Sequence, residues 1–361
     1  MNTATGLIPQ EFLERELFNE FIQNFNYNKT YIGEQFFPVR EVFSTFIQDV
    51  IVNASYEVYI KGVANPGDSS YNIDNLGSQV VQMGMFDYII DRLFTGKDFA
   101  GINGLGGIAF YGSQSEAKAR QIEISKFIMR NVEDMIDAIR RFWEYVRWEA
   151  ILKSGVIDLK NNTKGVHFHY DFKVPAALKV AANTLAGDCM WTNNTDGKSD
   201  PLSDIETKRI KLKEAGARGP FEIWANPNTW RVFVANSKVA TANILSDRMK
   251  EIIVGGNYEN ITVKECALKT FDGMYKIEGA SSMSYYLPDG YVIIKSTGAL
   301  GETQYGTSEI PANDDRNIIR VSGMYAYSLL EKNPAALQVI HGVKGAVNYQ
   351  YVNDALIMKV Y

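Results

Sequence analysis

Cysteine is scarce in this sequence. Two occur in 361 residues, Cys189 and Cys266, too few for a disulfide framework, and no C-x-x-C pair stands ready for a metal. A reducing compartment is the simpler setting. A basic excess is also missing: 37 Lys and Arg face 42 Asp and Glu, a formal net charge of -5. A surface that grips nucleic acid through many phosphates is therefore not expected. Apolar runs are short, none approaching the ~18 residues of a membrane span. The opening MNTATGLIPQEFLEREL soon turns acidic and amphipathic, the wrong order for a signal peptide, so a soluble protein made in a cytoplasm is expected. No G-x-S-x-G elbow occurs and neither cysteine has a histidine near it in sequence. No nucleophilic machinery is visible.

What is present suits a globular protein. Hydrophobic residues make up 46% and aromatics 12%, enough for the core of one large or two modest domains. Residues 9–25 read as a short amphipathic helix, with Phe12, Leu13, Leu17, Phe18, Phe21, Ile22 and Phe25 at three- and four-residue spacings. That stripe fits either an ordinary core helix or a latch onto a neighbouring subunit. Thr45–Val63 and Gly77–Leu93 are extended runs around the polar tip Asn65–Ser70, the pattern of a long hairpin. A two-stranded ribbon is marginal alone in water, so this one is expected to lie on something else.

From Glu116 to Lys153 there is neither proline nor glycine, and Ile128, Val132, Met135, Ile139, Phe142 and Val146 form a helical stripe. The spacing predicts a helix of roughly 55 Å, capped by Ser113 or Ser115 and stopped at Gly155. A second stripe with Ile136, Trp143 and Trp148 implies burial on more than one side. Strands are expected at Val156–Leu159 and Val166–Phe172, then mixed helix and strand from about residue 174. There, Pro201–Ala215 reads as a helix with Asp200 as N-cap and Gly216 as stop. Phe221–Ala225 reads as a strand leading to a helix that opens on Asn226-Pro227. Further strands are expected at Tyr275–Glu278 and Tyr291–Lys295, and the chain from Ile318 on is strand-rich, ending in the apolar run Ala355–Tyr361.

Three motifs invite chemistry. In GINGLGGIAFYG, Gly101 to Gly112, the residues Gly104, Gly106 and Ala109 fit the G-x-G-x-x-A spacing of a dinucleotide loop. No strand leads directly into it, Phe110-Tyr111-Gly112 separates it from the helix, and the position for a ribose-binding acid falls inside that helix. A flexible connector fits better. Gly197-Lys198-Ser199 imitates the end of a P-loop, but the first glycine of that motif would fall on Thr192, which leaves a polar surface loop. His167 and His169 would share one face of a strand, a metal-like spacing that still needs a third ligand. The remaining histidine is His341, which nothing in the sequence brings near. No metal, cofactor or catalytic residue is therefore expected.

The ordered parts resemble the major capsid proteins of tailed phages with the Hong Kong 97-like fold, specifically the lambda-type E family. The resemblance rests on ILKSGVIDL (Ile151–Leu159), DPLSDIETKRIKLKEAG (Asp200–Gly216) and FEIWANPNTWRVFVAN (Phe221–Asn236). YYLPDGYVII (Tyr285–Ile294), ALGETQYG (Ala299–Gly306) and the closing KNPAALQVIHGVKGAVNYQYVNDALIMKVY continue it. It covers most of the chain after about residue 110 and, before that, matches in arrangement alone.

The resemblance implies an α+β capsid fold in four parts. These are an N-terminal arm (1–44), an E-loop hairpin with glycine connector (45–112), a P-domain with the spine helix (113–172 and 318–361) and an A-domain (173–317). It implies a non-enzymatic subunit that assembles with itself as hexamers and pentamers into an icosahedral head around double-stranded DNA, without sequence-specific binding. Phe18, Phe21, Phe25, Tyr59, Lys61 and Asp68 become inter-subunit contact candidates, and Gly101, Gly104, Gly106, Gly107 and Gly112 the hinge. Lys61 is by position a candidate for covalent cross-linking. The short arm implies a separate scaffolding protein, with a portal and a decoration protein as further partners and no membrane. Localisation would be the virion, after assembly in the host cytoplasm. The rival readings are an encapsulin-type cellular shell and a cytosolic nucleotide-binding enzyme.

Overall fold

The computed structural model describes residue 22 and residues 31–52, 78–95, 97–98, 114–161, 166–193, 198–241, 262–311, 318–332 and 335–361. One helical turn, α1 (Gly33–Phe36), leads to a short strand, β1 (Val39–Glu41). The ribbon strands β2 (Phe46–Val52) and β3 (Ser78–Gly84) pair antiparallel from Phe46↔Gly84 to Val52↔Ser78. Strand β4 (Phe86–Thr95) follows, then the helix α2 (Gln114–Leu152) and the hairpin β5 (Val156–Asn161) and β6 (Val166–Asp171). The next segment holds α3 (Pro201–Glu214), β7 (Phe221–Ala225), α4 (Pro227–Ala235) and α5 (Ser237–Thr241). Short strands β8 (Thr262–Val263), β9 (Cys266–Thr270), β10 (Met274–Tyr275) and β11 (Ser284–Tyr285) precede β12 (Tyr291–Ser296). The chain closes with β13 (Glu302–Tyr305), β14 (Thr307–Pro311), β15 (Ile318–Ser322), β16 (Met324–Lys332), β17 (Ala335–Asn348) and β18 (Ala355–Lys359).

Two five-stranded sheets organise these elements. The first is built on β17, which pairs with both β16 and β4 along Ala336–Val343 and with β13 at Gly345–Asn348; β1 then adds to β13 in parallel. The second runs β18-β12-β7-β9-β8. Its inner strand β7 is buried at every residue, and Val292, Ile293 and Ile294 of β12 are fully buried. Such continuous apolar runs belong to strands covered on both faces. The two sheets exchange strands across the chain: β13 joins the first and the terminal β18 joins the second.

The helix α2 is 39 residues long and carries both predicted stripes inward. Ile128, Val132, Ile136, Ile139, Trp143, Val146 and Trp148 are buried and Phe142 is partly so. Its N-terminal half packs on Phe94, Ala326, Leu337 and Val339 of the first sheet, together with Ile22. Ile22 is helical; the other residues of the 9–25 stripe lie outside the described residues. Ser115 sits within the first helical turn, while Ser113 lies outside the described residues. At the far end Gly155 takes φ +79°, and its N–H bonds to Ala150 O at 2.8 Å, the left-handed glycine stop that satisfies a late carbonyl. A side chain there would also strike Val174, 2.4 Å from an added Cβ.

Local capping follows the sequence. Asp200 accepts from Ser203 N at 3.1 Å and Asn226 from Thr229 N at 2.7 Å, each ahead of a proline at the first helical position. Two extended runs were drawn differently from their sequence. Residues 78–95 are two strands, because the Met85 N–H turns to Thr45 O (3.2 Å) and β4 departs to β17. At Tyr275–Glu278 the strand stops after Tyr275; its partner β11 is two residues long and Gly279 turns at φ +80°.

His341 lies in β17, buried opposite Ala326 and Ile90. Burial holds its imidazole neutral, with the pKa pushed down to about 4. The unfolded chain therefore binds a proton that the folded one refuses between about pH 6.5 and 4, so this contribution is complete above that window and lost on acidification. The loss is on the order of 3 kcal/mol. Urea unfolding of dissociated subunits at pH 7 and at acid pH should show this slope in the native protein and a reduced one in His341→Leu.

Candidate functional site

The segment from Tyr31 to Glu41 is where the two sheets and the spine helix meet. Its backbone is tied down along its length: Leu300 N donates to Phe36 O (2.8 Å), Thr303 N to Pro38 O (2.8 Å) and Val42 N to Tyr305 O (2.8 Å). Phe36 stands edge-on to Trp148 of the spine and to Trp224 of β7, with centroids 5.6 and 5.1 Å away. Phe37 packs edge-on to Tyr349 at 5.5 Å. Both phenylalanines are buried.

A charged network locks this segment to the spine. Glu144 is fully buried, and its Oε1 accepts from Gly33 N (2.8 Å) and from the Trp148 indole (2.7 Å). Arg147, also fully buried, donates from Nε to Thr303 Oγ1 (2.8 Å), whose hydroxyl donates in turn to Phe37 O (3.0 Å). Arg147 Nη1 lies 3.6 Å from both Glu144 Oε2 and Glu34 Oε1, and Arg140 pairs with Glu34 at 3.1 Å. Burial pushes the Glu144 carboxyl above its ordinary range, against the pull of the Gly33 N–H and the Arg147 charge. Gly33 has to be glycine for this approach, since an added Cβ would sit 2.5 Å from Glu144 Oε2.

A second buried charge lies under the same segment. Lys295 of β12 pairs with Glu222 of β7 at 2.7 Å, donates to Gly298 O at 3.0 Å, and lies 4.8 Å from the Phe36 ring centre. Desolvation holds its ammonium pKa down, opposed by Glu222.

Just beyond this strap, residues 31–41, the surface becomes apolar. Phe43 is 94% exposed, and Val39 and Phe46 are exposed beside it. The ribbon β2–β3 pairs with no other strand among the described residues, although Ile47 and Met83 at its root are buried. Ile318, Leu330, Ile277 and Met283 are further exposed apolar side chains.

The residues singled out in the sequence fall in different places. Phe18, Phe21, Phe25, Tyr59, Lys61, Asp68 and the glycines Gly101, Gly104, Gly106, Gly107 and Gly112 lie outside the described residues. Lys198 and Ser199 of the P-loop mimic are structural: Lys198 pairs with Asp188 (2.7 Å), and Ser199 accepts from the Asn236 amide (2.9 Å). Cys189 is exposed and Cys266 buried, with its thiol pushed up to about 11 by burial. The strap network went unread because its partners are more than 100 residues apart. Its one local trace is Glu144, Arg147 and Trp148 at helical spacing on a buried face. No helix among the described residues is long and apolar enough to cross a membrane.

Removing one partner of a buried pair strands the other. Arg147→Ala should cost about 3–5 kcal/mol, whereas Lys126→Ala, which breaks an exposed 2.8 Å pair with Glu123, should cost no more than about 1 kcal/mol. Chemical denaturation of dissociated subunits would compare them; equal costs would contradict the strap network.

The fold has solved counterparts. A capsid protein of a prophage in E.coli CFT073 aligns over 96% of this chain and 98% of its own, with TM-score 0.61 at 15% identity. A phage-related protein from Bordetella bronchiseptica RB50 aligns over 96% and 98%, at TM-score 0.46 and 12% identity. The mature capsid of bacteriophage PhiM1 aligns over 93% of this chain and 88% of its own, at TM-score 0.44 and 10% identity. A comparison with curated protein sequences gives no match. The sequence model for phage major capsid protein E matches residues 19–340, most of the length and all of the strap, spine and ribbon root described above. The chain belongs to the phage major capsid protein E family, with a Hong Kong 97-like capsid fold and the structural role of forming a phage head.

Proposed function

We propose that the chain builds an icosahedral, DNA-filled head as hexamers and pentamers, by laying its ribbon and N-terminal residues on neighbouring copies. The observation that carries this reading is the ribbon root: a two-stranded sheet with its base locked in the core and Phe43 bare beside it. Large apolar side chains left exposed together, here Val39, Phe43 and Phe46, mark an interaction surface. On this reading residues 1–44 form the arm, 45–112 the E-loop and connector, 113–172 with 318–361 the P-domain, and 173–317 the A-domain. Within that division the strap 31–41 belongs energetically to the body, and so does Ile22, which packs on the spine helix.

Phe18, Phe21, Phe25, Tyr59, Lys61 and Asp68 remain the proposed contact residues, and the glycines between Gly101 and Gly112 the proposed hinge. A separate scaffolding protein, a portal and a decoration protein are proposed partners, with assembly in the host cytoplasm. The net charge of -5 suits a wall that encloses DNA without gripping it. The role is assembly: many modest contacts summed over a closed shell.

Negative-stain electron microscopy of the protein expressed alone and with its neighbouring genes tests this. Closed isometric shells or hexamer and pentamer capsomers are expected, and a uniform monomer or small dimer under all conditions would overturn the reading. Phe43→Ser should leave subunit circular dichroism and unfolding unchanged while lowering shell yield several-fold. Undiminished assembly of that variant would remove Phe43 from the contact surface.

A further inference from the structure

The third ligand that the histidine pair lacked in sequence is supplied by the fold. In the β5–β6 hairpin Asp158 stands directly opposite His169, and Lys160 opposite His167. Alternation therefore puts Asp158, Lys160, His167 and His169 on one face. The other face carries Ile157, fully buried, and Phe168, which packs on Phe86 at 4.8 Å. The backbone under the polar face is thus held by the core, while the polar side chains stay accessible.

We infer that Asp158, His167 and His169 form a binding site for a divalent transition-metal ion of the zinc class. His167 Nε2 lies 2.5 Å and His169 Nδ1 3.6 Å from Asp158 Oδ1, and one ligand atom from each residue lies within 4.8 Å of the others. An ion with bonds of about 2.0–2.2 Å in tetrahedral array sets its ligand atoms about 3.3 Å apart. The aspartate–His169 spacing already fits, and the His167 contact fits after opening by less than about 1 Å. Side chains at 52% and 56% exposure for the two histidines are free to make that adjustment. Two imidazoles and one carboxylate favour zinc, cobalt, nickel or copper over calcium or magnesium, which take oxygen shells. Three protein ligands leave a position open, the arrangement of a site that also binds solvent or a further donor. Lys160 Nζ, 3.3 Å from Asp158 Oδ2, is the opposing feature: its charge competes with the cation for the same carboxylate. The inference is independent of the assembly reading.

The test uses full-length protein stripped with a chelator and titrated with zinc by calorimetry, at fixed pH and with magnesium in excess. One equivalent per subunit is expected. His169→Ala and Asp158→Asn should each weaken binding at least ten-fold, and His167→Ala with His169→Ala should abolish that equivalent. Lys160→Gln should tighten it several-fold, a gain that loss of structure does not mimic. Circular dichroism confirms folding, which these exposed positions should leave intact. Absence of saturable zinc binding, or an equivalent that survives in the double variant and so belongs elsewhere, for example to Cys189, would overturn the inference.

Discussion

The structure depends on one buried ionic contact. Glu144 and Arg147 lie on consecutive turns of the spine with essentially no solvent exposure, and through them residues 31–41 are fastened to the helix and to β13. Burying either charge alone would cost several kcal/mol. The cost is offset in part. Glu144 Oε1 accepts from Gly33 N and the Trp148 indole, and Arg147 Nε donates to Thr303. Glu144 Oε2 and Arg147 Nη1 face each other at 3.6 Å, while Arg147 Nη2 is buried without a hydrogen bond among the described residues. An apolar pair of equal volume could hold as tightly, but it would not place the Gly33 N–H or the Thr303 hydroxyl. The aromatic plugs Phe36 and Phe37 complete the joint, one reaching Trp148 and Trp224, the other Tyr349.

This joint also fixes the root of the ribbon. The strap ends at Glu41, Thr307 N holds Ser44 O at 2.9 Å, and Met85 N holds Thr45 O on the opposite strand. Both strands of the ribbon therefore leave the body from anchored points, with Ile47 opposite Met83 buried between them. The strap leading into this root is held in turn by Glu144 and Arg147, more than 100 residues away in sequence.

Much of the local structure was legible, and the reason is that local structure has local causes. The spine could be read because a glycine- and proline-free run with a three-four stripe has no other compact solution. The α3 and α4 starts could be read because Asp200 and Asn226 each precede a proline and each accept from an N–H three residues on. Pairings set by distant residues were not legible. Nothing in Val39–Glu41 announces a parallel pairing with Glu302–Tyr305, and nothing near Met85 announces that the chain changes sheets there. The polar face of the β5–β6 hairpin was half legible: two histidines two apart define a face, while their neighbour Asp158 depends on the pairing register of the two strands, which the sequence does not state. Residues 31–41, inside the expected arm, make their backbone hydrogen bonds to their own body, and no local pattern in the sequence marks that.

That division of labour follows from what a shell subunit has to do. A fully buried apolar side chain contributes about 1.5–3 kcal/mol, so under the proposed assembly bare side chains such as Phe43, Ile318 and Leu330 would each add a weak contact. Weak contacts are reversible, and misplaced copies leave again before they are trapped. The sum over a closed lattice is large because every copy makes all of its contacts at once. Such a scheme fails if the subunit itself yields first, because a loose body would spend contact energy on ordering its own chain. Concentrating strength in a buried joint and distributing weakness over the surface satisfies both demands, and the joint holds the strap that leads into the ribbon.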